Sequence, residues 1–141
     1  MIKIQEKDFI LDEEIETVKK KHSNIGAVSL FVGYVRDINN NKKVTSIELE
    51  VYEKMAYKSL EYISLKAQQR WNLIDSLIIH RFGKLKINEK IVLVTTFAKH
   101  RKDSFQACNF IMDYLKKDAP FWKKENYNED FSWLENTRLK N

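Results

Sequence analysis

The sequence predicts an α+β fold with a mainly antiparallel sheet and about three helices. Segments with the periodicity of strands and helices follow one another as strand, helix, strand, strand, helix, strand, strand, helix, an order typical of this class. The 141 residues have the length of one domain, residues 1–141. A hydrophobic fraction of 43% and a charged fraction of 32% are those of an ordinary globular protein.

The first three elements are predicted within residues 1–36. Residues 1–5 alternate apolar and polar side chains, as a short strand does. A helix is predicted over 11–21, because its acidic residues come first and its lysines last, in agreement with the helix dipole. Residues 26–36 are almost continuously apolar, which predicts a strand covered on both faces. Gly33 interrupts this run and indicates a bulge or a close backbone approach.

The middle of the chain continues the pattern. Residues 37–43 are rich in asparagine and predict a polar loop. The alternation over 44–52 predicts a strand with one solvent-exposed face, antiparallel to its predecessor. A long helix is predicted over 54–71 and a strand over 74–82, which Gly83 is expected to break.

The last predicted strand leads into the third helix. Residues 90–98, KIVLVTTFA, are the most β-prone run of the chain. The helix is predicted to begin near Ser104, with Asp103 and Gln106 as a capping box. Residues 126–141 are predicted to form an extended tail that packs through its aromatic side chains.

Composition argues against several classes of protein. No apolar run approaches the ~18 residues of a membrane helix, and the N-terminus lacks a signal-peptide core, so a cytoplasmic location is expected. The single cysteine, Cys108, is expected to be a small buried residue and not a catalytic thiol. Three histidines and this cysteine are scattered without ligand spacing, so we expect no metal site and no cofactor.

Positive charge is concentrated in residues 99–124, where seven lysines and arginines stand against three aspartates. The segment opens with a basic cluster, continues as a helix, and ends in Pro120 followed by two large aromatic residues and two lysines. The apolar face of its helix is predicted to consist of Phe105, Cys108, Ile111, Met112 and Leu115. Cations beside bulky aromatics suit an anion at a partly dry site.

Three basic residues are candidates for holding that anion. His100 and Arg101 lie where a strand gives way to a helix N-terminus, whose free N–H groups and dipole favour phosphate or carboxylate. Arg101 adds a planar fork that grips two oxygens, and Arg36, at the end of another apolar strand, offers a second. The alternatives are surface salt bridges for the arginines and a hydrogen-bonded structural role for the histidine.

Two lysines are candidates for chemistry. Lys116 falls in the last helical turn, where a cation also stabilises the dipole, and Lys123 follows an aromatic pair. Desolvation and neighbouring cations favour a neutral lysine amine, which acts as a nucleophile or proton carrier. The sequence pI of about 9.2 leaves a second hypothesis open, a non-enzymatic nucleic-acid-binding domain, although no RNP, KH or helix-turn-helix signature is present.

Five blocks of the sequence resemble the large, catalytic subunit of molybdopterin synthase. They are GAVSLFVGYVRD (26–37), LEVYEKMA (49–56), HRFGKL (80–85), KHR (99–101) and FIMDYLKKDAPFWKKE (110–125). The resemblance implies an α/β hammerhead-like fold with additional antiparallel strands. It also implies a sulfurtransferase that converts cyclic pyranopterin monophosphate to molybdopterin by installing a dithiolene. The sulfur donor would be the C-terminal Gly-Gly thiocarboxylate of a small β-grasp subunit, with a homodimer at the centre of a heterotetramer and no role for nucleic acid or membrane.

The resemblance also assigns roles to residues. Lys116 and Lys123 match the lysines of the chemistry and also contact substrate, and Arg36, His100 and Arg101 match the positions that hold the phosphate and pterin. Tyr34, Val35, Lys124 and Glu125 fall within the same binding segments. Departures from the family pattern are small: Asn88 replaces a usual glycine but tolerates the same turn, Lys99 replaces a small residue, and Tyr34 is bulkier than usual.

Overall fold

The computed structural model describes residues 1–39, 41–127 and 130–133, and it confirms the α+β class. The helices in these ranges are α1 (Leu11–Lys19), α2 (Glu53–Trp71) and α3 (Arg101–Asp118). The strands are β1 (Ile2–Gln5), β2 (Ala27–Tyr34), β3 (Ile38–Asn39), β4 (Lys42–Lys43), β5 (Ser46–Val51), β6 (Asp75–Arg81), β7 (Gly83–Lys86), β8 (Lys90–Ala98), β9 (Phe121–Tyr127) and β10 (Asp130–Trp133).

The strands form two four-stranded sheets and a small hairpin. The first sheet has the order β1-β6-β8-β2, the second has the order β10-β9-β5-β7, and β3 pairs with β4. Among the described pairs, β1 with β6 is parallel and the others are antiparallel, which confirms a mainly antiparallel arrangement. The predicted pairing of β5 with its predecessor β2 is wrong, because β5 pairs with β7 and β9 in the second sheet.

Two apolar clusters cover the faces of the first sheet. One face packs against α2, α3 and the second sheet, around residues such as Leu60, Ile78 and Ile111. The other face packs against α1 and the loop before it, around Phe9 and Val18. Successive side chains of β6 and β8 therefore enter different clusters, which explains why both strands are apolar along their whole length.

The prediction that β2 is covered on both faces is wrong. β2 is an edge strand of the first sheet, and Leu30 and Tyr34 are 45% and 46% exposed. The bulge predicted at Gly33 is confirmed, because the pairing of β2 with β8 shifts between Gly33 and Tyr34. An apolar edge strand with exposed side chains is a surface that another chain can cover.

The β3–β4 hairpin and the short strand β7 were not predicted. The predicted loop over 37–43 contains the β3–β4 hairpin, with Asn41 at a positive φ of 62°. The break predicted at Gly83 is confirmed, because β6 ends at Arg81; a separate strand of the second sheet, β7, begins at Gly83 with a φ of 89°. Glycine adopts that conformation without the penalty that a Cβ carries.

The third helix begins earlier than predicted. It starts at Arg101 with His100 as its N-cap and no side-chain cap, so the predicted capping box of Asp103 and Gln106 is wrong. Phe105 is 64% exposed, which contradicts its assignment to the buried face. The predicted tail begins inside β9, and β10 pairs with β9, while residues 128–129 and 134–141 lie outside the described ranges. No helix in the described part of the chain is long and apolar enough to cross a bilayer.

Candidate functional site

A cavity of about 350 Å³ lies between the edge strand β2 and helix α3. Its residues are Ser29, Leu30 and Phe31 from β2 and Phe105, Cys108, Asn109, Met112, Asp113 and Lys116 from α3. Lys116 is partly exposed in the last turn of the helix and brings a cation to this mostly apolar lining. The sequence predicts Lys116 as a site residue but not the β2 side of the cavity, because strand periodicity does not show which helix packs beside a strand.

Cys108 contributes to the cavity wall as a neutral thiol. Its side chain is 7% exposed, and Sγ lies 3.8 Å from the carbonyl oxygen of Val94. Burial raises the pKa of the Cys108 thiol to about 11, so the thiolate is not populated at neutral pH. This agrees with the predicted structural role of the cysteine.

The two lysines of β9, Lys123 and Lys124, occupy opposite faces of the second sheet. Lys123 and Glu125 are 7% and 2% exposed and share the inward face of the strand, where their backbone partners on β5 are Leu49 and Ile47. Lys124 projects from the opposite face, as strand geometry requires, and its Nζ lies 3.0 Å from Glu48 Oε2. The two predicted lysines of this segment therefore occupy different environments.

Helix α3 and strand β9 are joined by a tight, buried connection. Ala119 and Phe121 are each 1% exposed, and the Phe121 N–H donates to the Ala119 carbonyl at 2.9 Å. The ring of Phe121 stacks on the imidazole of His80, with centroids 3.6 Å apart. Pro120 thus lies in a short turn that fixes the start of β9, and with it Lys123, relative to the end of α3, which carries Lys116.

The segment 34–36 combines one core residue with two exposed ones. Tyr34 ends β2 with 46% of its surface exposed, and Arg36 is also exposed. Val35 between them is 3% exposed and belongs to the main core cluster. The side chain of Val35 therefore anchors the segment, and Tyr34 and Arg36 are the ones that face solvent.

The predicted anion residues at the start of α3 are exposed and rigidly attached. His100 has an extended backbone (φ −130°, ψ 149°), and the helix begins with Arg101. Buried Ser104 anchors this turn, because its Oγ lies 2.7 Å from Ser29 Oγ and its carbonyl accepts a 2.6 Å hydrogen bond from Thr96. The helix N-terminus is thereby fixed against both β8 and β2.

Within one chain the five predicted cations do not meet. β2 runs antiparallel to β8, with Ala27 opposite Ala98 and Tyr34 opposite Lys90, so Arg36 and His100 follow opposite ends of this pair. Eight residues of strand correspond to about 27 Å. The 15 residues from Arg101 to Lys116 along α3 correspond to about 22 Å. Within one chain the pair His100 and Arg101 therefore lies apart from Arg36 and from Lys116.

The described residues offer no metal site. No group of three or more His, Cys, Asp or Glu side chains in the described ranges is arranged to hold an ion. What the cavity offers instead is a mostly apolar slot whose lining includes the Lys116 amine and the Asp113 carboxylate, which suits an organic ligand that carries polar groups.

The chain is similar to proteins of one family over most of its length. The family model described as MoaE protein matches residues 4–118. The molybdopterin synthase catalytic subunit of Ralstonia nicotianae is 49% identical over 134 residues, covering 95% of this chain and 76% of that protein. These similarities support the resemblance and give no support to the nucleic-acid-binding alternative.

Solved structures have the same fold. The molybdopterin synthase structure from Staphylococcus aureus has a TM-score of 0.88 at 29% identity and covers 95% of this chain and 96% of its own. The complex of subunits 1 and 2 of molybdopterin-converting factor from Helicobacter pylori has a TM-score of 0.79 at 21% identity, with 95% and 90% of the two chains covered, and this likeness concerns the fold. The chain belongs to the MoaE protein family, whose curated members similar to it are molybdopterin synthase catalytic subunits.

Proposed function

We propose that this chain transfers sulfur from the thiocarboxylated C-terminus of a small β-grasp subunit to cyclic pyranopterin monophosphate, and so forms the dithiolene of molybdopterin. Family membership supports the enzyme class. The observation that carries the proposal is the β2–α3 cavity, which places Lys116 at the edge of an apolar slot large enough for a pterin-sized ligand.

Lys116 is proposed to act on the sulfur donor. Its ammonium group stabilises the anionic thiocarboxylate while the sulfur bonds to the substrate. Alternatively its neutral amine attacks the thiocarboxylate carbon, the C–S bond breaks so that hydrosulfide leaves towards the substrate, and water then cleaves the amide to a carboxylate and the free lysine. The apolar side chains around it, among them Phe31 and Met112, exclude water and strengthen the charge interaction.

Lys123 is proposed to carry protons or to orient the pterin. It is buried on the inward face of β9 next to Glu125, at the far side of the turn that begins after Lys116. A lysine side chain that contacts a bound substrate can act as its acid or base, or orient it through hydrogen bonds. Tyr34, Lys124 and Glu125 are proposed as supporting substrate contacts. Val35, the other residue predicted for this site, has its side chain buried in the core, and its proposed role is to hold Tyr34 and Arg36 in place.

Arg36 is proposed to bind the substrate phosphate through its exposed guanidinium fork. Fixing a charged group far from the reacting carbons uses binding energy to position those carbons. Arg36 lies two residues after the end of β2, the strand that lines one side of the cavity.

His100 and Arg101 are proposed to act in the site of a second copy. They lie about 22 Å from Lys116 along α3, too far to share a small ligand within one chain. A two-fold homodimer across the β2–α3 face brings the N-terminal end of α3 of one copy to the C-terminal end of α3 of the other. The exposed apolar side chains at this face, Leu30 at 45% and Phe105 at 64%, support such a contact.

The small subunit is proposed to complete the assembly as a heterotetramer. The similar fold in the Helicobacter pylori complex of subunits 1 and 2 supports a two-subunit enzyme. An extended C-terminal tail suits an open-ended slot such as the β2–α3 cavity, because a slender chain passes where a folded domain does not.

The reaction is tested by mixing the purified chain with thiocarboxylated small subunit and cyclic pyranopterin monophosphate. Formation of molybdopterin is expected, and no product with a competent small subunit would overturn the assignment.

A complementation assay tests the shared site. Lys116→Ala and Arg101→Ala chains, each inactive alone, are expected to recover about a quarter of the wild-type activity after dissociation and mixing, because half of the dimers then contain one intact site. No recovery in mixed dimers would contradict a shared site.

A further inference from the structure

The HRFGKL motif contains a buried arginine that the proposed chemistry does not use. Arg81 ends β6 and is 5% exposed. Its Nε donates to the carbonyl oxygen of Glu6 at 3.0 Å, and its Nη1 donates to the carbonyl oxygen of Lys90 at 2.9 Å. The guanidinium therefore links the loop after β1 to the first residue of β8.

Glu89 extends this link into the turn between β7 and β8. Its Oε1 lies 3.5 Å from Arg81 Nη1, and its Oε2 accepts a hydrogen bond from the N–H of Lys86 at 2.5 Å. The turn also needs Asn88 at a φ of 71°, a left-handed conformation that asparagine tolerates. One carboxylate thus connects a buried cation to both ends of the turn.

The same turn holds the residue that precedes Arg36. The N–H of Val35 donates to the carbonyl oxygen of Glu89 at 3.0 Å, and the N–H of Asn88 donates to the carbonyl oxygen of Val35 at 2.9 Å. Both main-chain groups of Val35 are therefore bonded to the turn, and its side chain is buried in the core. The direction in which the chain leaves Val35 sets where Arg36 stands.

We propose that Arg81, acting through Glu89 and the turn 86–90, is a positioning residue for Arg36. This inference rests on the proposed function, which gives Arg36 the substrate phosphate. Without the link, the turn and Val35 become mobile, and Arg36 loses the orientation that makes its fork a preformed anion site. The affinity for substrate then falls, while the chemistry at Lys116 is unaffected.

The test uses the complex reconstituted with thiocarboxylated small subunit and varies the concentration of cyclic pyranopterin monophosphate. Arg81→Lys keeps the charge but loses the fork that serves two carbonyls. It is expected to raise KM roughly tenfold with kcat within about twofold. In an Arg36→Ala background the same change is expected to have no further effect on KM, because the residue it positions is gone. Equal effects in both backgrounds, or a lowered melting temperature with unchanged KM, would overturn the proposal.

A matched control and a milder variant separate positioning from loss of folding. Arg70→Lys makes the same change at an arginine that stacks on Trp71, away from the turn, and is expected to leave KM unchanged. Glu89→Gln keeps both backbone contacts of Arg81 and is expected to shift KM in the same direction by a smaller factor.

Hydrogen exchange tests the link without the reaction. The Val35 amide of Arg81→Lys is expected to exchange about tenfold faster than in the wild type, and that of Arg70→Lys at the wild-type rate. Unchanged exchange would refute the positioning role of Arg81. If exchange rises but Arg36→Ala leaves KM unaltered, the link stands and the phosphate role of Arg36 fails.

Discussion

Acid is expected to destabilise this protein through His80, a histidine buried in the centre of the fold. The imidazole is 1% exposed and stacks on Phe121 at an interplanar angle of 15°. Its Nδ1 lies 2.9 Å from the carbonyl oxygen of Arg81, an acceptor to which a neutral ring with a proton on Nδ1 donates. Burial lowers the pKa of His80 from 6.5 to about 4. Charging the ring in this apolar site is therefore unfavourable.

The sign and size of the effect follow from linkage. Between pH 6.5 and pH 4 the unfolded chain binds a proton at this histidine and the folded chain does not, so stability falls as pH falls. The contribution of neutral His80 to the free energy of unfolding is fully present above pH 6.5 and amounts to roughly 3 kcal/mol. About 2 kcal/mol of it is lost by pH 5.

Urea unfolding at fixed protein concentration, measured from pH 7.5 to pH 5, checks this prediction. His80→Phe keeps a ring against Phe121 but cannot titrate. It is expected to be less stable than the wild type at pH 7.5, by about 1 kcal/mol for the lost hydrogen bond, and to lose less stability in acid. His100→Asn, a change at an exposed histidine, should retain the wild-type slope. Parallel curves for the wild type and His80→Phe would refute the assignment of the slope to this ring.

Three further substitutions test the site and its framework. Lys116→Ala is expected to abolish turnover with an unchanged melting temperature. Lys117→Ala, at the exposed neighbour, should retain activity. Near wild-type turnover of Lys116→Ala would show that this lysine takes no part in the chemistry. Gly26→Ala places a Cβ against a main-chain carbonyl and should lower the free energy of unfolding by about 1–3 kcal/mol, so wild-type stability in urea would contradict the close approach. Leu60→Ala, at a fully buried position of α2, should lower the free energy of unfolding by about 2–5 kcal/mol. Leu65→Ala, at an exposed position of the same helix, should lower it by less than about 0.5 kcal/mol. Equal losses would contradict the orientation of α2.

Elements whose pattern reflects local geometry were predicted well from the sequence. The alternation in residues 1–5, the apolar run over 90–98 and the helical spacing over 54–71 each correspond to β1, β8 and α2 within one or two residues. Asn88 has the positive φ that its residue type allows. These features depend on side-chain periodicity and backbone sterics, which act over a few residues.

Errors arose where a distant segment decides the outcome. The apolar run of β2 suggested a covered strand, but no strand of this chain described by the structure lies at its outer edge. β9 was not predicted, because its sequence, FWKKENY, is polar on average and becomes a strand by pairing with β5 and β10. Exposure of Phe105 likewise depends on what packs against α3, which helical spacing alone does not show.

The sequence by itself determined the class of fold, the family resemblance and the identity of the basic residues, because these are properties of composition and short-range pattern. Tertiary structure alone decided how those cations are distributed. It placed Lys116 on a cavity, buried Lys123 on the inward face of a sheet, and separated His100 and Arg101 from Lys116 by most of the length of a helix. The physical reason is that charge belongs to a residue, whereas burial and proximity belong to the packing of segments far apart in the chain.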